Sequence, residues 1–421
     1  SSPAPEPEQA DSSEGGAAIE RPQRAVELGW AAGSQPAAPP AMAGNLRARV
    51  VRKLGFPEVD VINCHAFSEN EQLLAICPNT EDIMIYQLQG DEFHRQAVLS
   101  KHMQRVTGLA WSSTGRLASC AEDRTAYVWE WDAAAGCWRS VVAELREKRA
   151  ALCLAWAPDG QRFAVGLASK DVGVCYYEPE AKCWVALKIA KSKAAVGALA
   201  WHPTSQFLAS GSADRHCAVY NVNVDLMNPP KPGFGKVEVS DDAGSWVNAV
   251  AFSPKGQYLA FFGQDATARV KDLVGGPTSA AAVIRWRGLP FLRGIFVGEK
   301  CLIGCGFDCA PVLFRRSDLG WQVCGILSPD TGFGAPVAER GSAAFNEARS
   351  IFRSGGAAGA SGSGGSPGTA GPSAGGTPTG AAAAPSWFSN AITSCNLLSA
   401  AKGRFSMSAL DGQVTVCEVS A

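Results

Sequence analysis

Val106-Thr-Gly-Leu-Ala-Trp111, Ala151-Leu-Cys-Leu-Ala-Trp156 and Val196-Gly-Ala-Leu-Ala-Trp201 are three copies of one phrase, their tryptophans 45 residues apart each time. A short run of small and apolar residues ending in an aromatic anchor has the length and composition of a buried strand. Looser copies extend the series. Phe67 stands 44 residues before Trp111, Phe252 stands 51 after Trp201, and Phe296 follows by 44 more. A seventh unit, without an aromatic anchor, runs through Ile392 to Leu398, Arg404 to Leu410 and Gln413 to Val419.

Each unit keeps one internal order: the anchored strand, a polar turn, a small-residue strand such as Arg116-Leu-Ala-Ser-Cys120, an aspartate, and a further strand. The turns Ser113-Thr-Gly115, Pro158-Asp-Gly160, Pro203-Thr-Ser205 and Pro254-Lys-Gly256 supply the fixed φ of proline or the permissive φ of glycine that a tight hairpin requires. The aspartate recurs as Asp82, Asp123, Asp171, Asp214, Asp265, Asp308 and Asp411, where a carboxylate accepts nearby donors and locks a turn. Short strands repeating every 40 to 50 residues predict an all-β fold, a β-propeller with one four-stranded sheet per blade. Residues 46–330 and 386–421 divide into seven units of about 46 residues, so seven blades fit better than six or eight. The chain ends after the third strand of the last unit. Leu46 to Phe56 is the expected donor of the fourth, closing the ring and removing a free edge.

The flanking and intervening segments are of another kind. Residues 1–45 are expected to be a disordered acidic tail, residues 1–41 holding six acids against Arg21 and Arg24. Residues 355–385 contain only Gly, Ala, Ser, Pro and Thr, and are expected to be a disordered tether. Between the sixth unit and that tether, residues 331–354 form an insert. Its Phe345, Ala348, Ile351 and Phe352 fall near one helical face and Ser342 is placed to cap the helix, so a short amphipathic helix is expected there. Its apolar face either awaits a partner groove or packs on the side of the propeller.

Composition removes several function classes. Of 421 residues 46% are hydrophobic, and 38 basic against 39 acidic residues leave a net charge of -1, which predicts neither broad nucleic-acid attraction nor membrane adhesion. No apolar run reaches membrane-span length, and no secretory or organellar signal is read. Fourteen cysteines without a signal peptide then indicate a reducing, cytoplasmic setting. Cys301, Cys305 and Cys309 lack the paired spacing of a zinc site and read as buried strand residues. No phosphate loop or zinc-protease motif occurs, Gly371-Pro-Ser-Ala-Gly375 lies within the tether, and no cofactor or metal is expected.

One unit carries His102, Ser119, Asp123 and Trp129, complementary donors and acceptors that suit a buried structural network. The competing protease reading of His, Ser and Asp lacks any visible oxyanion arrangement, so the chain is expected not to be an enzyme.

Cys64-His-Ala-Phe-Ser, Leu74-Ala-Ile-Cys-Pro-Asn79, Asp123-Arg-Thr-Ala-Tyr-Val-Trp129, Phe163-Ala-Val-Gly166, Trp201-His-Pro203 and Pro311-Val-Leu-Phe314 resemble the WD-repeat subunit of the actin-related protein 2/3 complex. The resemblance spans residues 61 to 419 and includes an insert before the last blade. It implies a non-catalytic scaffold in a seven-subunit assembly that nucleates branched actin filaments, located in the cytoplasm on the actin cytoskeleton. The implied partners are the actin-related proteins, the small subunits, the actin filament and the acidic tails of nucleation-promoting factors. By the same resemblance Phe345, Arg349, Ile351 and Phe352 are candidates for the contact with the mother filament. The alternative is a generic WD-repeat adaptor, for example a ubiquitin-ligase substrate receptor.

Overall fold

A computed structural model describes residues 47–276, 279–330 and 387–419. The expected tail (1–45), insert (331–354) and tether (355–385), and with them Phe345, Arg349, Ile351 and Phe352, lie outside the described residues. Apart from a 3-10 turn at Val224–Leu226, the regular structure there is β-strand. Consecutive strands pair in antiparallel groups of four, spanning 64–99, 106–144, 151–189, 196–242, 247–285 and 291–326. Ile392–Ser399, Arg404–Ala409 and Gln413–Glu418 form a further group, and Arg47–Gly55 joins it by pairing antiparallel with Gln413–Glu418. The innermost strands neighbour one another in chain order, and Cys64–Phe67 lies against both Val106–Trp111 and Ile392–Ser399.

Two sheets exceed the expected four strands. The outer strands Cys137–Glu144 and Cys183–Ile189 meet in parallel at Trp184↔Ala143 and Val185↔Glu144, merging the second and third groups into one eight-stranded sheet. Ser328–Asp330 pairs in parallel with the start of Arg47–Gly55 and makes the C-terminal sheet five-stranded. Both additions satisfy backbone groups on outer edges that a four-stranded unit leaves open.

The innermost strands share a device that the sequence hides. Their registers shift just after the first residue, between Val106 and Gly108, Ala151 and Cys153, Val247 and Ala249, and Ile392 and Ser394 among others. Such a bulge turns one residue out of its own ladder. At Thr107, Asn248 and Thr393 that residue donates to the next group: Thr107 Oγ1 to Ala151 O at 2.8 Å, Asn248 Nδ2 to Phe291 O at 2.9 Å and Thr393 Oγ1 to Ile62 O at 2.9 Å. Asn63, immediately before Cys64, does the same to Val106 O at 2.8 Å. At the other end of these strands the repeated tryptophans reach backwards. The indole N–H groups of Trp111, Trp156 and Trp201 donate to Ala66 O, Ala110 O and Ala155 O, each at 3.0 Å. The 45-residue spacing is thus the spacing of a latch between neighbouring groups as well as of a core anchor. In the last group, which lacks the tryptophan, Asn396 Nδ2 donates to His65 O at 2.8 Å.

The hairpin turns follow the sequence closely. Gly115, Gly160 and Gly256 have φ between 66° and 80°, and Ser205 holds the equivalent place at 58°. At Gly256 the requirement is doubled, because a Cβ there would lie 2.0 Å from His202 Nε2. The second strands are buried from their second residue onward, and wholly so in Leu117-Ala-Ser-Cys-Ala121, where small side chains let adjacent groups approach. Ten of the fourteen cysteines are buried. Cys301 and Cys305 lie on a second strand as expected, but Cys309 is buried in the turn that follows it, with φ 59°, and is not a strand residue.

Candidate functional site at the loop end of the repeats

His102, Ser119, Asp123 and Trp129 come together. Trp129 Nε1 donates to Ser119 Oγ at 2.9 Å, Ser119 Oγ lies 2.8 Å from His102 Nε2, and His102 Nδ1 lies 3.0 Å from Asp123 Oδ2. Asp123 only accepts, so Nδ1 carries the proton, Nε2 accepts from Ser119, and the polar groups of these four side chains satisfy one another. Burial lowers the His102 pKa against the opposing pull of Asp123, and the imidazole stays neutral. Burial also opposes ionisation of Asp123, but bonds from the Thr125 side chain and from the Met103 and Thr125 N–H groups, with His102 nearby, hold its pKa below the ordinary value. The Ser119 hydroxyl is fully buried and its lone pair is engaged by the indole, which is the geometry of a strut between strands. Ser119→Ala leaves the indole N–H and His102 Nε2 buried without partners and is expected to cost about 2 kcal/mol or more. Denaturant unfolding of the full chain measures this, and a loss under about 0.5 kcal/mol would remove the strut role.

Four of the seven repeated aspartates do one job. Asp123, Asp214, Asp308 and Asp411 accept the N–H groups of Met103, Lys193, Leu289 and Ser389, at 2.8, 2.6, 2.9 and 2.8 Å. Each bond ties the turn after a second strand to the loop that leads into the same group's innermost strand. Asp265 is held instead by Thr267 Oγ1 at 2.6 Å, and Asp82 accepts from Ser100 on the loop that follows its group, at 2.5 Å. Asp171 departs from the expected turn lock. Among the described residues its carboxylate accepts no hydrogen bond, and burial with the neighbouring Glu147 charge raises its pKa. The two loops are further joined by backbone bonds, Glu122 N to Arg105 O, Ala168 N to Ala150 O and Ala213 N to Ala195 O.

This stitched end of the second, third and fourth groups is basic. Its loops expose Lys101, Arg105 and Arg124, then Arg146, Lys148, Arg149 and Lys170, then Lys191, Lys193 and Arg215. Arg105 pairs with Glu122 and Arg146 with Glu144; the remaining eight make no ion pair among the described residues. Apart from Asp171 and the paired Glu122 and Glu144, the acids on the same loops are held by other groups. Asp123 and Asp214 accept backbone N–H groups, and Glu147, its ionisation opposed by burial but favoured by Lys188 and Ser169, is held by Lys188. A near-neutral chain therefore concentrates unpaired positive charge on one end of three consecutive repeats, a surface that attracts polyanions. Whole-chain charge conceals this; aligning the charges of 100–105, 145–150 and 190–195 on the repeat would have exposed it. Among the described residues no group of three or more His, Cys, Asp or Glu is placed to hold a metal ion, and no helix is long and apolar enough to cross a membrane.

The family model of the WD domain, G-beta repeat, matches residues 93–130, 186–221 and 238–272, in agreement with a propeller-like arrangement of repeats. Actin-related protein 2/3 complex subunit 1A of Arabidopsis thaliana is 37% identical over 271 residues, which cover 62% of this chain and 71% of the relative. Subunit 1A-A of Xenopus laevis is 34% identical over 275 residues, 62% of this chain and 73% of that protein. Subunit 1 of Schizosaccharomyces pombe is 28% identical over 311 residues, 69% of this chain and 82% of that protein. Sequence, repeat geometry and relatives agree, and the chain belongs to the family of subunit 1 of the actin-related protein 2/3 complex.

Proposed function

We propose that the chain is a non-catalytic scaffold in the actin-related protein 2/3 complex, a seven-bladed propeller that supports nucleation of branched actin filaments on the actin cytoskeleton. The observation that carries this furthest is the basic loop end, which has the charge to receive the acidic tail of a nucleation-promoting factor while the strands behind it hold the neighbouring subunits. The inward-turned carboxylates keep that surface from neutralising itself. Replacing Lys148, Arg149, Lys191 and Lys193 by Glu in the assembled complex is expected to weaken binding of an acidic promoting-factor peptide at least tenfold at about 0.15 M salt, and to flatten its salt dependence. Fluorescence anisotropy at several ionic strengths measures both. Unchanged affinity would remove the loop end from the interaction.

The filament contact is a separate part of the proposal and rests on the insert. Phe345, Arg349, Ile351 and Phe352 form its contact, so Phe345→Ala with Phe352→Ala lowers branch density severalfold while the complex still assembles. Microscopy of branched networks gives the readout, and normal branching would overturn the assignment. Purification of the tagged full chain is expected to recover both actin-related proteins and the small subunits. Recovery of ubiquitin-ligase subunits in their place would favour the adaptor alternative.

A further inference from the structure

The innermost strands enclose a channel of about 310 Å³ whose walls include Cys64, Thr107, Cys153, Asn248, Arg293 and Asn396. At about 30 Å³ per water it holds on the order of ten waters. Arg293 sits directly after the bulge of the sixth innermost strand. Glycine, cysteine, alanine or serine occupies the same register in the other groups, as Gly108, Cys153, Ala198, Ala249 and Ser394. A single guanidinium therefore occupies a ring of small neutral side chains.

That guanidinium is poorly compensated. Nη1 donates to the carbonyl of Leu292 at 2.9 Å, and among the described residues no carboxylate forms an ion pair with Arg293. Arg293 lines the channel together with Cys64 and Cys153, on the first and third innermost strands. Neither thiol supplies a counter-charge. Burial pushes Cys153 up to about 12, and the Cys77 contact together with burial raises Cys64 well above its ordinary value. A fixed cation between low-dielectric walls focuses its field into the enclosed water, and the planar fork of arginine matches tetrahedral oxyanions.

We propose that the channel is an anion site in which Arg293 holds a small free oxyanion of the phosphate and sulfate class. The loop end beside the channel mouth carries the unpaired cations of the second to fourth groups, and draws such ions toward it. The site lies on rigid strands within the ring and is independent of any peptide held at the loop surface.

The test uses the full chain with inorganic phosphate, sulfate and chloride at matched ionic strength. Phosphate and sulfate are each expected to raise the unfolding midpoint saturably; binding broadens the phosphate ³¹P resonance and added sulfate narrows it again by competition, whereas chloride has neither effect. Arg293→Met is expected to weaken phosphate binding at least tenfold, and Arg293→Lys, which keeps the charge but loses the fork, by a smaller factor. Should Arg293→Met fail to fold, the ³¹P titration of wild type against Arg293→Lys still decides. Equal effects of chloride and phosphate, or phosphate binding unchanged in both variants, would overturn the proposal.

Discussion

Acidification from pH 7 to pH 5 is expected to cost the native chain about 2 kcal/mol through His65 alone. His65 is fully buried in the first innermost strand, and its two ring nitrogens lie 2.8 Å from Ser408 Oγ and Ser406 Oγ in the last group. Burial lowers its pKa from 6.5 to about 3. Between those values the unfolded chain binds a proton that the native chain refuses, so stability falls as pH falls, beginning near pH 6.5 and ending near pH 3. His102 and His202, both lowered first by burial, act in the same direction. The measurement is the denaturant midpoint of the full chain at pH 7 and pH 5. His65→Leu is less stable at pH 7 because two buried hydroxyls lose a partner, but its loss on acidification should be smaller by the His65 contribution. An equal pH slope in wild type and variant would show that His65 titrates normally.

His65 also marks where sequence stopped being informative. Its neighbours Cys64 and Phe67 announce a repeat strand, but nothing in the sequence says that residue 65 meets residues 406 and 408, because the contact exists only once the last group lies against the first. The repeated tryptophans were legible because periodicity is local information. Their role as latches was not, since an indole buried in its own sheet and one donating across to Ala110 leave the same trace in sequence. Bulge residues were still harder to see. Asn63, just before its strand, and the bulge residues Thr107, Asn248 and Thr393 perform one task with two residue types, and Gly197 stands in the series with no side chain to donate. The network of His102, Ser119, Asp123 and Trp129 could be foreseen from complementary chemistry within a single repeat. Asp171 shows the limit of that inference, since position in the repeat does not guarantee a donor. The basic loop end was missed for a different reason: its charges come from loops spread over residues 101 to 215, and the total charge averages them away.

Phe262→Ala is expected to destabilise the chain by about 3–5 kcal/mol, the range for a fully buried aromatic whose site cannot collapse. The ring lies between two groups, with its centroid 5.4 Å from that of Phe291 and 6.2 Å from that of Phe314. It can occupy that place because the sixth group carries glycine where others carry leucine. Gly294, the fourth residue of its innermost strand, corresponds to Leu109, Leu154 and Leu199, and it faces Gly304 across the ladder. A Cβ on Gly294 would lie 1.9 Å from Phe262 Cε2, and one on Gly304 would lie 2.8 Å from Phe291 Cδ1. The missing side chains and the intruding ring are therefore two halves of one packing solution. Gly294→Ala alone should cost about 1–3 kcal/mol by overpacking. Combined with Phe262→Ala it should cost less than the sum, by about 1–3 kcal/mol, because the new methyl enters space the ring has left. Strict additivity in a denaturant double-mutant cycle would mean that the two positions do not share that volume. Neither residue is unusual alone, since glycine in a strand and phenylalanine in a core are both common. Their dependence on each other becomes visible only when neighbouring groups are seen packed together, and it explains why a repeat can lose its leucine without losing its core.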